Sequence, residues 1–145
     1  MGSPNSPVDG RTRVVAGTRW GNSVPYSRAV RDGAWIAVSG TTAARDQGGA
    51  VGGSDIGAQT RETIVRISAA LNELGSSLDE IVRLRIFVTD ISRWEQVGAA
   101  LAEFFSETRP AASMVEVQAL IDPALLIEIE ADALAHRAGS EPTLG

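Results

Sequence analysis

Two short stretches hold the residues of this chain best suited to chemistry. They are Arg109-Pro110-Ala111-Ala112-Ser113-Met114-Val115-Glu116-Val117 and Ile127-Glu128-Ile129-Glu130-Ala131. In the second, aliphatic and acidic residues alternate, the period of a strand with one buried face, so Glu128 and Glu130 share the opposite face. A carboxylate there is open to acid–base work if its surroundings are partly dry. The segment Ile81–Val88 alternates too, with Val82, Leu84, Ile86 and Val88 on one face and Arg83, Arg85 and Phe87 on the other. Arg85 then shares a sheet face with Glu128. It can act as a planar fork for an anion or as the structural ion-pair partner of Glu128, and the pattern leaves both open. The chain has one histidine, His136, past the last strand, and no cysteine. Disulfides, thiolate nucleophiles, histidine–cysteine zinc sites and the usual Ser–His triad therefore have no support. No spacing points to a metal site, and no cofactor is expected.

The elements that must position these residues follow from periodicity and turn chemistry. Segments 26–31 and 34–40 flank Asp32-Gly33 and predict an antiparallel hairpin. Residues 45–54 form a glycine-rich loop without a phosphate-binding fingerprint. Ile56, Thr60, Ile64, Ile67, Leu71 and Leu74 recur at spacings of four and three and make one face of a helix. Ser54 or Asp55 caps that helix and Gly75 ends it. Ser77-Leu78-Asp79-Glu80 reads as a capping box for a single turn before the strand 81–88. A second helix is expected from Ser92, with Trp94, Val97, Leu101 and Phe104 facing the core and Pro110 barring its continuation. Two strands, 113–120 and 126–134, close the chain through Asp122-Pro123.

The fold class is α+β, a mixed β-sheet with both helices on one face. Three parts are expected: an N-terminal arm over 1–16 with room for a short edge strand, one domain over 17–136, and a disordered tail over 137–145. The second sheet face should carry Met114, Phe87 and Trp35 beside Ser39, Arg85 and Glu128. That is more large apolar surface than water usually covers, and it points to self-association. No apolar run is long enough to span a membrane and no signal core stands at the start, so the cytoplasm is the expected compartment. The net charge of −5 argues against a nucleic-acid partner.

Taken together, Val38-Ser39-Gly40, Ala58-Gln59-Thr60, Phe87-Val88-Thr89-Asp90, Phe104-Phe105, Val115-Glu116-Val117 and Ile127-Glu128-Ile129-Glu130 resemble the Rid (YjgF) family. The resemblance runs from about Pro25 through Leu134. It implies a chorismate-mutase-like fold, a homotrimer, and small-molecule clefts between subunits in which reactive enamines and imines are hydrolysed. On this resemblance Glu128 positions or activates water, Tyr26 lines the cleft, and Ser39 with Gly40 holds the reacting polar group. Ala112 stands in place of the arginine that grips a substrate carboxylate, Met114 in place of a smaller residue, and Gly98 where many members have asparagine. Arg85 is the candidate to replace the missing arginine, and Ala112, Met114 and Trp20 would line a more apolar pocket. The expected activity is therefore deaminase-like hydrolysis of a small imine, enamine or related electrophile, neutral or bulkier than the imine of a simple amino acid. The alternative is a trimer of the same fold that binds a small molecule without catalysis.

Overall fold

The computed structural model describes residues 9–136; the expected tail over 137–145 lies outside the described residues, as do the first eight residues of the arm. Six strands form one sheet: β1 (Thr12–Val15), β2 (Ser27–Asp32), β3 (Trp35–Thr41), β4 (Ile81–Val88), β5 (Ala111–Glu116) and β6 (Ile127–Leu134). Helices α1 (Ile56–Glu73) and α2 (Trp94–Phe105) cross over between β3 and β4 and between β4 and β5. The strand order is β1-β2-β3-β6-β4-β5, with β4 and β5 parallel and every other neighbouring pair antiparallel. β1 is the edge strand for which the arm had room.

The last strand in sequence lies near the centre of the sheet. Ile127, Ile129, Ala131 and Ala133 of β6 are all buried against the helices, alongside Ile36 and Val38 of β3 and Leu84, Ile86 and Val88 of β4. Each of the isoleucine, leucine and valine side chains among them contributes roughly 1.5–3 kcal/mol when fully withdrawn from water. The α1 face read from sequence is the buried one: Ile56, Thr60, Ile64, Ile67, Leu71 and Leu74 all face the core. Asp55 caps α1 by accepting from the Ala58 amide at 3.1 Å. Gly75, at φ +78°, lets the Ser76 amide turn back to the Leu71 carbonyl at 2.9 Å.

Several local expectations are corrected. Asp32 pairs with Trp35, so the hairpin loop is Gly33-Ala34, with Gly33 at φ +60° in the first central position that demands glycine. The box at Ser77 makes no side-chain cap; Glu80 instead accepts from Ser76 Oγ at 2.7 Å. Ile91–Arg93 is a 3-10 turn capped by Asp90, and α2 begins at Trp94. Trp94 is 55% exposed, and the buried stripe starts one turn later at Val97. Periodicity sets a helical face but not where along the helix the covered stretch begins. Val82 is exposed because the register against β6 shifts between Ile81 and Arg83. Met114 pairs with Ile86 and Ala112 with Leu84, so both lie on the helix side of the sheet, with Met114 packed against the core. Val115 is the residue exposed on the other face. Alternation alone cannot tell which phase of a strand faces the core when both phases hold apolar residues.

Candidate functional site

Two irregularities in the sheet occur side by side. On β2, Val14 pairs with Ala29 but Val15 pairs with Ser27, so Arg28 is an extra residue bulging against β1. On β3, Val38 pairs with Ala131 and Thr41 with Ile129, so Ser39 and Gly40 are squeezed in opposite a single β6 residue. Bulges of this kind end regular pairing and re-aim side chains. Here they open the sheet beneath a cavity of about 740 Å³. Arg28, Ser39, Gly40 and Glu128 line it from the strands, Thr18, Arg19, Trp20 and Tyr26 from the preceding loop, and Arg66 and Glu73 from α1.

Glu128 is the central acid. A Cβ built on Gly40 would lie 2.5 Å from Glu128 Oε1, so the carboxylate occupies space that only glycine leaves open. It accepts no hydrogen bond from the described residues. Burial raises its pKa above the ordinary glutamate range, the neighbouring Glu130 charge adds to that, and Arg28 opposes both. Ser39 Oγ donates to the Ser27 carbonyl at 2.6 Å, which leaves its oxygen available as an acceptor. Tyr26 shares a short hydrogen bond with Thr18 Oγ1. The Arg28 guanidinium lies 5.8 Å from the Tyr26 ring centroid and donates through Nη2 to the Gly40 carbonyl at 2.5 Å. Burial lowers the pKa of Arg28, with Tyr26 and Glu128 opposing. Arg19 stacks 4.6 Å from the centre of Trp20 and reaches Asp122 at 2.7 Å, tying the 17–26 loop to the 120s loop.

Five residues singled out from sequence thus meet in one cavity: Tyr26, Ser39, Gly40, Glu128 and Trp20. Arg85, Ala112 and Met114 do not line it. Arg85, whose cross-strand neighbour on β6 is Glu130, pairs with Asp132 at 3.2 Å and not with Glu128. Glu128 lies opposite Phe87 instead. Ala112 and Met114 sit on β5, with β4 and β6 between them and β3. The residue that sequence reading missed is Arg28. Its one signal was its place two residues after Tyr26, and the bulge that brings it to the cavity leaves no mark in the alternation. Among the described residues no group of His, Asp and Glu could hold a metal ion, and no helix is long and apolar enough to cross a membrane.

Residues 17–135 match the sequence profile of the endoribonuclease L-PSP family. The chain is 50% identical to a crystallised Mycobacterium tuberculosis member of the YjgF/YER057c/UK114 family, with a TM-score of 0.78 over 86% of this chain and 99% of that one. It is 35% identical to a RutC family protein of Pyrococcus abyssi over 78% of this chain and 87% of the relative. It is also 34% identical to the 2-iminobutanoate/2-iminopropanoate deaminase of Salmonella typhimurium, over 76% of this chain and 87% of that protein.

Proposed function

The chain belongs to the endoribonuclease L-PSP family, the YjgF or Rid proteins, and from that membership we propose that its cavity hydrolyses the C=N bond of a small imine or enamine tautomer. The observation that carries this reading is Glu128: a half-buried carboxylate with a raised pKa, pressed against Gly40 and held by no hydrogen bond of the described residues. Such a group can orient water and take its proton. Water adds to the imine carbon, the nitrogen gains a proton, and the carbinolamine collapses to a carbonyl compound and ammonia. Ser39 Oγ, whose own proton goes to Ser27, accepts from the substrate N–H. Tyr26 and Trp20 form the wall.

The substrate is bulkier than the imine of alanine or serine, since 740 Å³ is within the range of cavities that hold drug-sized ligands. The working form is a homotrimer. In it, Ala112 and Met114 meet the cavity only from the β5 edge of a neighbouring subunit. Ala112 has no guanidinium with which to clamp a carboxylate from that side. This favours a second reading, a trimer that binds its ligand without turning it over.

Imines generated in situ by an amino-acid oxidase separate the two. Faster ammonia release with the protein present, for bulky amino acids above small ones, is the expected result. Binding without acceleration for any amino acid would leave only the second reading.

A further inference from the structure

Four arginines border the cavity: Arg19, Arg28, Arg45 and Arg66. Arg19 is engaged by Asp122 and Trp20. Arg66 donates to Glu62 at 3.0 Å and to the Thr42 and Ala44 carbonyls at 2.9 and 2.8 Å, joining the loop after β3 to α1. Arg45 stands exposed at the rim. Arg28 is different. A guanidinium carries five donor hydrogens. Among the described residues Arg28 uses one of them, on the Gly40 carbonyl, while its Nε is sealed from water without a partner. It forms no ion pair with any described residue: Glu128 lies near enough to feel its charge without a salt bridge, and the Tyr26 ring centroid, 5.8 Å away, sits at the outer edge of cation–π range.

A cation withdrawn from water is costly unless charge and hydrogen bonds offset it. Arg66, which joins two elements, has a carboxylate partner and three hydrogen bonds to do so. In Arg28 one end of the fork is fixed by Gly40, and its other donors have no hydrogen-bond partner among the described residues, within the wall that also holds Glu128. We propose that Arg28 is the anion-binding residue of this cavity, and that the molecule it admits carries a carboxylate held from β2, on the same chain as Glu128. The anion grip is thereby moved from the β5 position of Ala112 to the bulge on β2. The substrate class narrows to bulky imines or enamines bearing an acid group. This step rests on the reading of the cavity as the reaction site, but its test does not need turnover.

The probes are phenylacetate and phenylacetamide, matched in shape and differing in charge, titrated calorimetrically into the full chain. Wild type should prefer the acid by roughly tenfold to a hundredfold, the range of one charge-assisted hydrogen bond. Arg28→Gln should bind the two equally, whereas Arg85→Gln should keep the wild-type preference. Should Arg28→Gln fail to fold, Arg28→Lys, which keeps the charge but not the fork, must weaken phenylacetate binding and leave phenylacetamide unchanged. Glu128→Gln should retain the preference for the acid. If Glu128→Gln also leaves turnover intact, the hydrolytic reading fails while the anion site stands. Equal binding of acid and amide by wild type, binding of neither at millimolar concentration, a preference that survives loss of Arg28, or binding of inorganic phosphate in place of phenylacetate would each overturn the assignment.

Discussion

A methyl group added at Gly40 would fall 2.5 Å from Glu128 Oε1 and 2.9 Å from its carboxyl carbon, and the side chain must swing away to make room. Gly40→Ala should therefore cost turnover on the order of a hundredfold, the usual penalty of displacing a reacting group by about an ångström, while the melting temperature changes little. Steady-state kinetics beside a thermal melt checks both halves. Glu128→Gln keeps the shape and removes the base, and turnover should fall by about 10²–10⁴-fold. Its stability should move the other way. The folded state holds a proton on Glu128 at pH values where the unfolded chain has released it, so wild-type stability declines as pH rises from the ordinary glutamate range through the raised pKa. The glutamine carries no such cost. The variant should melt at or above wild type near neutrality, and the gap should close in acid; a lower melting temperature at neutral pH would mean that Glu128 is structural. Strand alternation and motif resemblance were enough to bring Glu128, Ser39, Gly40, Tyr26 and Trp20 to attention. They could not bring Arg28, because a bulge is an exception to alternation, and they favoured Arg85, whose face was read correctly but whose partner is Asp132.

One side chain joins several elements around the cavity. Gln59 of α1 is fully buried; its amide donates to the Gly53 carbonyl at 2.7 Å and the Ala124 carbonyl at 2.9 Å, and its oxygen accepts from the Leu126 amide at 2.9 Å. The glycine-rich loop before α1 and the 120s loop before β6 are thus held to the helix that covers the sheet. Gln59→Leu fills the same space and leaves three backbone groups unmatched. Each costs about 1–3 kcal/mol, so urea unfolding should show a loss of roughly 3 kcal/mol or more. Gln59 stands among the α1 residues whose buried face was plain in the sequence, yet it interrupts the apolar stripe and signals nothing on its own. Two of its three partners, Ala124 and Leu126, lie 65 and 67 residues away, a separation no local pattern reports. The same gap explains Trp94: the α2 stripe was legible, while its starting point depends on where the sheet ends.

Across the whole chain, the sheet face away from the helices carries a cross-strand pair, Trp35 and Leu134, each about half exposed, with Val115 further along. A face of that kind is suited to burial between copies. Light scattering should give a particle of roughly 45 kDa, three copies of 15.2 kDa, at micromolar concentration; a stable monomer would count against the trimer and against any wall contributed by a neighbour. The mixed sheet and the two crossovers were readable from element order alone. Their final arrangement, with β6 inserted between β3 and β4, was not, because that pairing joins parts of the chain far apart in sequence. The distribution of the three tryptophans has a practical use. Trp35 and Trp94 stand half in water, whereas Trp20 lies in the cavity wall under the Arg19 guanidinium. Replacing the two outer ones with phenylalanine would leave a single indole whose emission reports on the cavity alone. Occupancy by an unknown, unlabelled molecule would then appear as a change in intrinsic fluorescence, so that metabolite libraries could be screened optically before any reaction has been assigned.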